Sequence, residues 1–290
     1  MPSFPRLRLK EYFRDARAHV AVVRQKGQSE IGPHNHEFVE LVIILGGEGL
    51  HQTGIETHAL QAGDAMVING SRQHAYKDTR SLNLVNVLIR EEVLRNVEGD
   101  FGQLPGYHAL FTMESMRWRS EGFPNRLRLN PADLRQVSAW VDALEEETLR
   151  PREGGHLLAH AWLMLIIGLL VRRHGLGAED SPDIPMRLGR VLSRMEIFSS
   201  GPLRLPELAR EAAMSERTFL RKFREATGCS PIDYLLRSRI RRAAELLAHR
   251  GSRFSLTEIA GRCGFEDSNY FSRQFRKVMG VSPRSYRNRL

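Results

Sequence analysis

Ile259-Ala260-Gly261-Arg262-Cys263-Gly264-Phe265-Glu266-Asp267-Ser268-Asn269-Tyr270-Phe271-Ser272-Arg273-Gln274-Phe275-Arg276-Lys277, closed by Gly280-Val281-Ser282-Pro283-Arg284-Ser285-Tyr286, is the second copy of a pattern this chain carries twice. Phe219, Phe223, Gly228, Ser230, Pro231 and Tyr234 recur 52 residues later as Phe271, Phe275, Gly280, Ser282, Pro283 and Tyr286. Arg221 and Arg224 recur as Arg273 and Arg276. Leu208-Ala209 pairs with Ile259-Ala260 at an offset of 51, so one copy carries an extra residue near its turn.

Each copy reads as a short helix, a tight turn and a second helix, which is a helix-turn-helix unit. In the first copy the pattern predicts helices over 206–213 and 216–227, with Gly228 as the stop because positive φ costs glycine nothing. Ser230-Pro231 then opens a linking helix through Leu247. In the second copy Ser255-Leu256-Thr257-Glu258 is a capping box, followed by a helix to Cys263, the turn Gly264-Phe265, and a helix over 267–278 stopped by Gly280. A further helix over 187–198 precedes both copies. Phe219 and Phe223, four apart, face inward, as do Phe271 and Phe275. Thr218, Arg221 and Arg224 project outward from the first copy. Ser268, Asn269, Ser272, Arg273 and Arg276 project outward from the second. A DNA major groove admits one helix, and arginine reaches guanine O6 and N7 with two hydrogen bonds. Arg224 and Arg276 suit phosphate rather than base, fixing register without reading sequence. The linking helix over 231–247 spans roughly 25 Å. A stiff strut of that length suits two reading helices set about one duplex turn, ~34 Å, apart.

Charge follows the same division. From Asp183 to Leu290 there are 22 Lys and Arg against 11 Asp and Glu, a net +11; the rest holds 21 against 23, a net −2. A basic back half spread over helices points to a polyanion partner for that half alone. Two domains are expected at 290 residues. The 2 cysteines, Cys229 and Cys263, fall in helical territory, build no disulfide framework and fit a reducing cytoplasm. No signal peptide is read in the opening residues, charged from Arg6 onward. The apolar run over 157–171 is shorter than the ~20 residues a membrane span needs, so no membrane partner is expected.

The front half carries strand signals over about 18–90. Phe38-Val39-Glu40-Leu41-Val42-Ile43-Ile44-Leu45 ends at Gly46-Gly47; Ala65-Met66-Val67-Ile68 follows the turn Ala62-Gly63-Asp64; a third run covers 82–89. Short strands with glycine turns predict a small barrel or sandwich. Asn130-Pro131-Ala132-Asp133 is a helix start, and Leu134, Val137, Val141 and Leu144 mark one apolar face. A second helix over 157–173 follows. This pair is expected either to dimerise or to cover one barrel opening. Glycine and proline over 175–185 mark a linker. The expected fold is α+β in two domains: 1–175 as barrel (about 18–90) plus helical pair (about 130–174), a linker at 176–185, and an all-α domain of two helix-turn-helix units at 186–290.

From about Leu192 to Arg287 the chain resembles the DNA-binding domain of AraC/XylS-family transcription regulators, most closely over the stretch quoted at the outset. The resemblance implies that Arg217, Leu220 and Arg221 face bases in the first recognition helix, and Ser268, Asn269, Ser272 and Arg273 in the second. The position of Arg217 varies widely in that family and sets target preference.

His34-Asn35-His36-Glu37-Phe38-Val39-Glu40, then Gly46, Gly63-Asp64 and His74, is similar to the two motifs of a cupin barrel. In metal-binding cupins two histidines and a glutamate on one strand join a later histidine. Here those are His34, His36, Glu40 and His74. Positions 34, 36 and 40 share parity and hence a strand face, and imidazole with carboxylate suits zinc, iron, manganese or nickel. Asn69 stands where proline is usual before Gly70. His51 and Tyr76 join His34, His36, Glu40 and His74 as candidate effector contacts. A divalent metal, a polar lining for a small molecule, and structural histidines are the three readings.

The expected function is a non-enzymatic, sequence-specific regulator at promoter DNA, responsive to a small effector such as a sugar and requiring no cofactor. The arrangement is similar to regulators of sugar operons, rhamnose regulators among them. A homodimer is expected, with RNA polymerase as a partner if the protein activates. The alternative is a metal-dependent cupin enzyme or metal sensor fused to a DNA-binding domain. A third reading makes the barrel only a dimerisation scaffold.

Overall fold

The computed structural model describes residues 5–13, 18–54, 56–70, 72–94, 101–113, 126–150, 152–176, 184–201, 203–248 and 254–288. The sheet holds β1 (Arg6–Leu7), β2 (Val20–Gln25), β3 (Ile31–His36), β4 (Val39–Thr53), β5 (Glu56–Leu60), β6 (Asp64–Ile68), β7 (His74–Ile89) and β8 (Arg126–Arg128). Its central path runs β1-β3-β7-β4-β6-β8, with β2 on β7 and β5 on β4.

The two long strands, β4 and β7, make the barrel. Their first pairing sets Val39 through Ile44 against Ile89 through Leu84. Beyond it the register shifts, and Leu50, His51 and Gln52 meet Lys77, Tyr76 and Ala75. Gly46-Gly47, expected to end a strand, instead bends one. Gly47 sits at φ +75, and a Cβ there would fall 2.1 Å from the Ser81 carbonyl oxygen. A bulge of this kind lets one strand serve both walls.

Alternation decides which side chains go where. Leu41, Ile43, Val67, Val85 and Val87 point to one face and join the helix-covered core. Val42, Ile44, Met66, Ile68 and Leu84 point the other way and fill the barrel with Leu60, Tyr76 and Leu82. Both faces are buried, which is why 38–45 is apolar without a polar alternate.

Helices α1 (Leu9–Tyr12), α2 (Pro105–Tyr107), with a π-helical turn at His108–Thr112, α3 (Pro131–Leu149) and α4 (Gly155–Leu176) complete the first domain. Asn130 caps α3, its side chain accepting from the Asp133 N–H. Val137, Val141 and Leu144 are fully buried against the sheet together with Leu163, Ile166, Ile167 and Leu170 of α4. The 134/137/141/144 face therefore covers the barrel and is not free for a second copy. Helix α4 is longer than the apolar run suggested. By length and composition 155–175 is enough to cross a membrane, but its inner face packs on the sheet and on α3.

The second domain is α5 (Ile184–Ile197), α6 (Leu205–Glu211), α7 (Glu216–Thr227), α8 (Pro231–Ala248), α9 (Leu256–Arg262), α10 (Ser268–Met279) and α11 (Pro283–Arg287). Its helix α5 packs against α2 and the π-helical turn of the first domain. The expected linker at 176–185 falls mainly on 177–183, outside the described residues; Pro185 already lies in α5. Cys229 lies in the turn after Gly228 and Cys263 at the cap of α9, so neither sits within a helix.

Candidate DNA interface and barrel cluster

The duplicated pattern becomes duplicated geometry. Gly228 and Gly280 end α7 and α10 at φ 77 and 76. Ser215 and Asp267 cap the same helices by accepting from the N–H groups of Thr218 and Tyr270. Phe219 meets Phe223 at 5.4 Å and Phe223 meets Tyr234 at 5.9 Å. The second copy repeats this with Phe271 and Phe275 at 5.7 Å, and Phe275 and Tyr286 at 5.5 Å. All four phenylalanines are fully buried. The turns match too: Met214 N–H donates to Ala209 O and Phe265 N–H to Ala260 O, each at 2.9 Å. The extra residue is Glu266, inserted between that turn and the Asp267 cap.

With the inner faces packed, the outer faces stand clear. Arg217, Leu220, Arg221 and Arg224 form an exposed stripe on α7, and Asn269, Arg273 and Arg276 one on α10. Both stripes follow helical spacing. Arg221 pairs with Glu225 at 3.0 Å; such an exposed pair is weak and exchangeable for phosphate or base. Three expected contacts are less available. Thr218 is half-buried and its hydroxyl accepts from Ser215 Oγ at 2.9 Å. Ser272 is half-buried and donates to Ser268 O at 2.9 Å, and Ser268 is itself half-buried. Tyr270, left out of the expected contacts, is 43% exposed at the start of α10.

The barrel gathers the other set. His36 sits at the end of β3, Glu40 at the start of β4 and His74 at the start of β7. The chain bends at Glu37-Phe38, so shared parity along one strand is not what brings His36 and Glu40 together. Glu40 Oε2 lies 3.6 Å from His36 Nε2 and 3.4 Å from His74 Nε2. His36 Nδ1 donates to Phe38 O at 2.6 Å and His74 Nδ1 faces Arg72 O at 3.4 Å. Backbone carbonyls beside both Nδ1 atoms leave each Nε2 facing the carboxylate. These three inward atoms are buried without a hydrogen-bond partner and lie within 4.8 Å of one another.

His34 does not complete a fourth corner. Its Nδ1 faces a backbone carbonyl, Gly32 O at 3.0 Å, as in the other two histidines, and its ring is 4.1 Å from that of His74, but it is outside the three-residue cluster. His51 and Tyr76 flank the cluster, their rings 5.5 and 6.1 Å from that of His74. Burial is the largest influence on Glu40 and raises its carboxyl, but His36 and His74 together outweigh it and hold the group below the usual carboxylate range. Burial, then the neighbouring His74, lowers His51 and His34. Burial, then Glu40, raises the Tyr76 phenol.

The donor set fits a divalent ion. Ligand atoms bound tetrahedrally at about 2.1 Å stand about 3.4 Å apart; Glu40 Oε2 stands 3.4 and 3.6 Å from the two Nε2 atoms, and all three atoms lie within 4.8 Å of one another. Unpaired polar atoms inside a protein are costly unless something satisfies them.

Two strut-linked helix-turn-helix units with bare arginine stripes, joined to a barrel with a buried polar centre, define a two-domain DNA-binding regulator. A helix-turn-helix domain family matches residues 208–289, and a cupin domain family matches residues 21–87. The HTH-type transcriptional activator RhaS of Klebsiella pneumoniae (strain 342) is 31% identical over 280 residues, covering 96% of this chain and 95% of the relative. The activator RhaR of Escherichia coli (strain K12) is 29% identical over 281 residues, covering 96% and 94%. A solved AraC-type regulator from Chromobacterium violaceum is 30% identical over 36% of this chain and 90% of its own, with a TM-score of 0.34. The chain belongs to the AraC/XylS family of transcription regulators. It is a DNA-binding transcription regulator with a cupin domain in front.

Proposed function

We propose that this chain activates transcription at promoters, grips two successive major-groove sites, and is switched by a ligand in its barrel. The carrying observation is the repeated exposed stripe, 217/220/221/224 and 269/273/276, on helices set 52 residues apart around one strut. Arg217, Leu220, Arg221, Asn269 and Arg273 read bases, with Thr218, Ser268 and Ser272 at the edges; Arg224 and Arg276 hold phosphate. Promoter DNA is the first partner and RNA polymerase the second, in the cell compartment that holds the DNA. The barrel senses and performs no reaction. Enrichment from a random duplex pool tests the DNA reading. Recovery of no common sequence by the intact chain would refute it.

A second reading concerns the effector, and the convergence of His36, Glu40 and His74 favours it. A sugar needs a roomy cavity with several placed polar partners. The barrel interior is instead lined by Val42, Ile44, Met66, Ile68, Leu82 and Leu84, and the ligand atoms of His36, Glu40 and His74 converge there within 4.8 Å of one another. A divalent ion fits that interior as it stands, held by His36, Glu40 and His74. Bound there, the ion would tie β3, β4 and β7 together and favour one arrangement of the two domains over another. Metal content of protein made without a histidine tag checks this. One ion per chain is expected, falling to trace in His74→Ala, while a wild-type chain that takes up no zinc, iron, manganese or nickel rejects it.

The protein works as a homodimer. With the α3 face used by the barrel, an apolar surface among the described residues is the outer side of α4, where Leu157, Leu158 and Leu165 are 73, 47 and 46% exposed. Sedimentation at micromolar concentration tests this, and a monomer that Leu157→Glu does not alter rejects it.

A further inference from the structure

The two helix-turn-helix units have separate hydrophobic cores. The first gathers Leu192, Leu208, Phe219, Phe223 and Tyr234; the second gathers Ile240, Ala244, Ile259, Phe271 and Phe275. Helix α8 supplies residues to both. Two cores on one helix leave their relative angle to whatever joins them between Tyr234 and Ile240.

Arg239 stands at that junction. Its Nε donates to Ser199 O at 2.6 Å, its Nη1 to Gly264 O at 2.8 Å and its Nη2 to Gly201 O at 2.9 Å. Ser199 and Gly201 follow α5 in the first unit, whereas Gly264 is the turn between α9 and α10 in the second. One side chain on the strut therefore clasps both units. The guanidinium also lies 5.9 Å from the Phe265 ring centroid. The loop and the turn are in direct contact: a Cβ on Gly264 would fall 2.6 Å from Ser200 O. The neighbouring Ser238 and Arg241 reach Glu196 of α5 at 2.6 and 2.8 Å, and so anchor α8 to the first unit. Arg239 is half-buried with its donors committed to carbonyls. Only a planar fork of fixed N–H groups reaches three such acceptors at once; lysine is a point charge on a flexible stem.

We propose that Arg239 is a positioning residue that sets the distance and twist between the two recognition helices, and so determines which spacing of paired major-groove sites this protein accepts. One inserted base pair turns the second groove by about 34° and moves it about 3.4 Å. A rigid pair of readers must pay for that mismatch, whereas a hinged pair follows the groove.

The test uses the intact chain and duplexes it enriches from a random pool, with one or two base pairs then added or removed between the two contacted boxes. The wild type is expected to lose about tenfold in affinity per inserted pair, on the order of one mismatched base. Arg239→Gln is expected to lose less than about threefold per inserted pair, with affinity for a single box unchanged; Arg239→Lys should behave as Arg239→Gln does. Spin labels on E216C and K277C, with Cys229 replaced by serine, read the angle without DNA. Cys263 is buried with its thiol pushed up to about 11, which keeps it unlabelled. The label distances should be narrow in the wild type and broad in both variants. A folded Arg239→Gln that keeps the wild-type spacing penalty, full restoration by Arg239→Lys, or equally narrow distances in the variants overturns the proposal. If Arg239→Gln does not fold, Arg239→Lys alone decides by the same two readouts. If the wild type enriches no sequence, it is DNA recognition that fails, and the label distances still decide the role of Arg239.

Discussion

At the scale of the residue, two arginines one helical turn apart are expected to behave differently on substitution. Arg273 and Arg276 are both exposed on α10. Arg273 lies four residues after Asn269 on the same stripe, nearer the helix start that enters a groove first. Arg273→Ala should cost roughly 1–3 kcal/mol on the enriched sequence and relax discrimination at one base pair. Equal loss on scrambled DNA would show that it reads no base. Arg276→Ala should weaken all sequences alike and reduce the salt slope by about one unit; competition titrations over a salt series measure both. The inward and outward faces were legible in the sequence because a four-residue phenylalanine spacing leaves arginine only the other side. The hydroxyls were less legible. Whether Thr218 or Ser272 faces a partner depends on a side chain rotating back to Ser215 or Ser268, and periodicity carries no information about that. The barrel cluster was partly legible: residue types pointed to His36, Glu40 and His74, but the bend at Glu37-Phe38 sets how Glu40 meets His36.

At the scale of the element, glycine marked positions correctly while its meaning depended on tertiary contact. Gly228 and Gly280 end helices as the pattern predicted, because the following Ser-Pro opens another helix. Gly46-Gly47 looks the same in sequence yet continues a strand, since Ser81 on β7 approaches too closely for any side chain. The pairing partner lies more than thirty residues away, out of reach of a local reading. The short α2 and its π-helical turn were unread for a similar reason: they are held by packing on α4 and α5, not by a repeat of their own. Gly264 offers a test of the turn it occupies. It sits at φ +79, and a Cβ would fall 2.6 Å from Ser200 O against backbone. Gly264→Ala should therefore destabilise the second domain by more than the about 1–2 kcal/mol that positive φ alone costs. Its counterpart Ala213 already sits at φ 49 and is exposed, so Ala213→Gly should be neutral or slightly stabilising. Thermal melts of the two variants check the pair, and a Gly264→Ala chain that melts with the wild type would contradict the close approach.

At the scale of the whole molecule, the barrel domain and the helix-turn-helix domain meet where α5 packs on the π-helical turn, and His108 lies buried in that seam. Its Nε2 donates to Gly102 O at 2.7 Å, which leaves Nδ1 to accept from Thr112 Oγ1 at 3.0 Å. Both bonds belong to the neutral ring. Burial is the main cause that lowers this imidazole to about 4, with Arg241 adding to it and the Gly102 carbonyl and Glu196 opposing. The sign follows from linkage. An unfolded histidine takes up its proton near pH 6.5 while the folded one resists until about 4, so the unfolded state binds more protons between those values. Stability from this group is complete above about pH 6.5 and is lost as pH falls toward about 4, amounting to about 3 kcal/mol over the window. His108→Gln keeps a donor for Gly102 and cannot titrate. Melting temperatures of wild type and His108→Gln should therefore converge as pH drops from 7 to 4.5, through a steeper fall in the wild type. Parallel curves across that range would mean that His108 charges in the folded seam, and that the two domains are not sealed there against a proton.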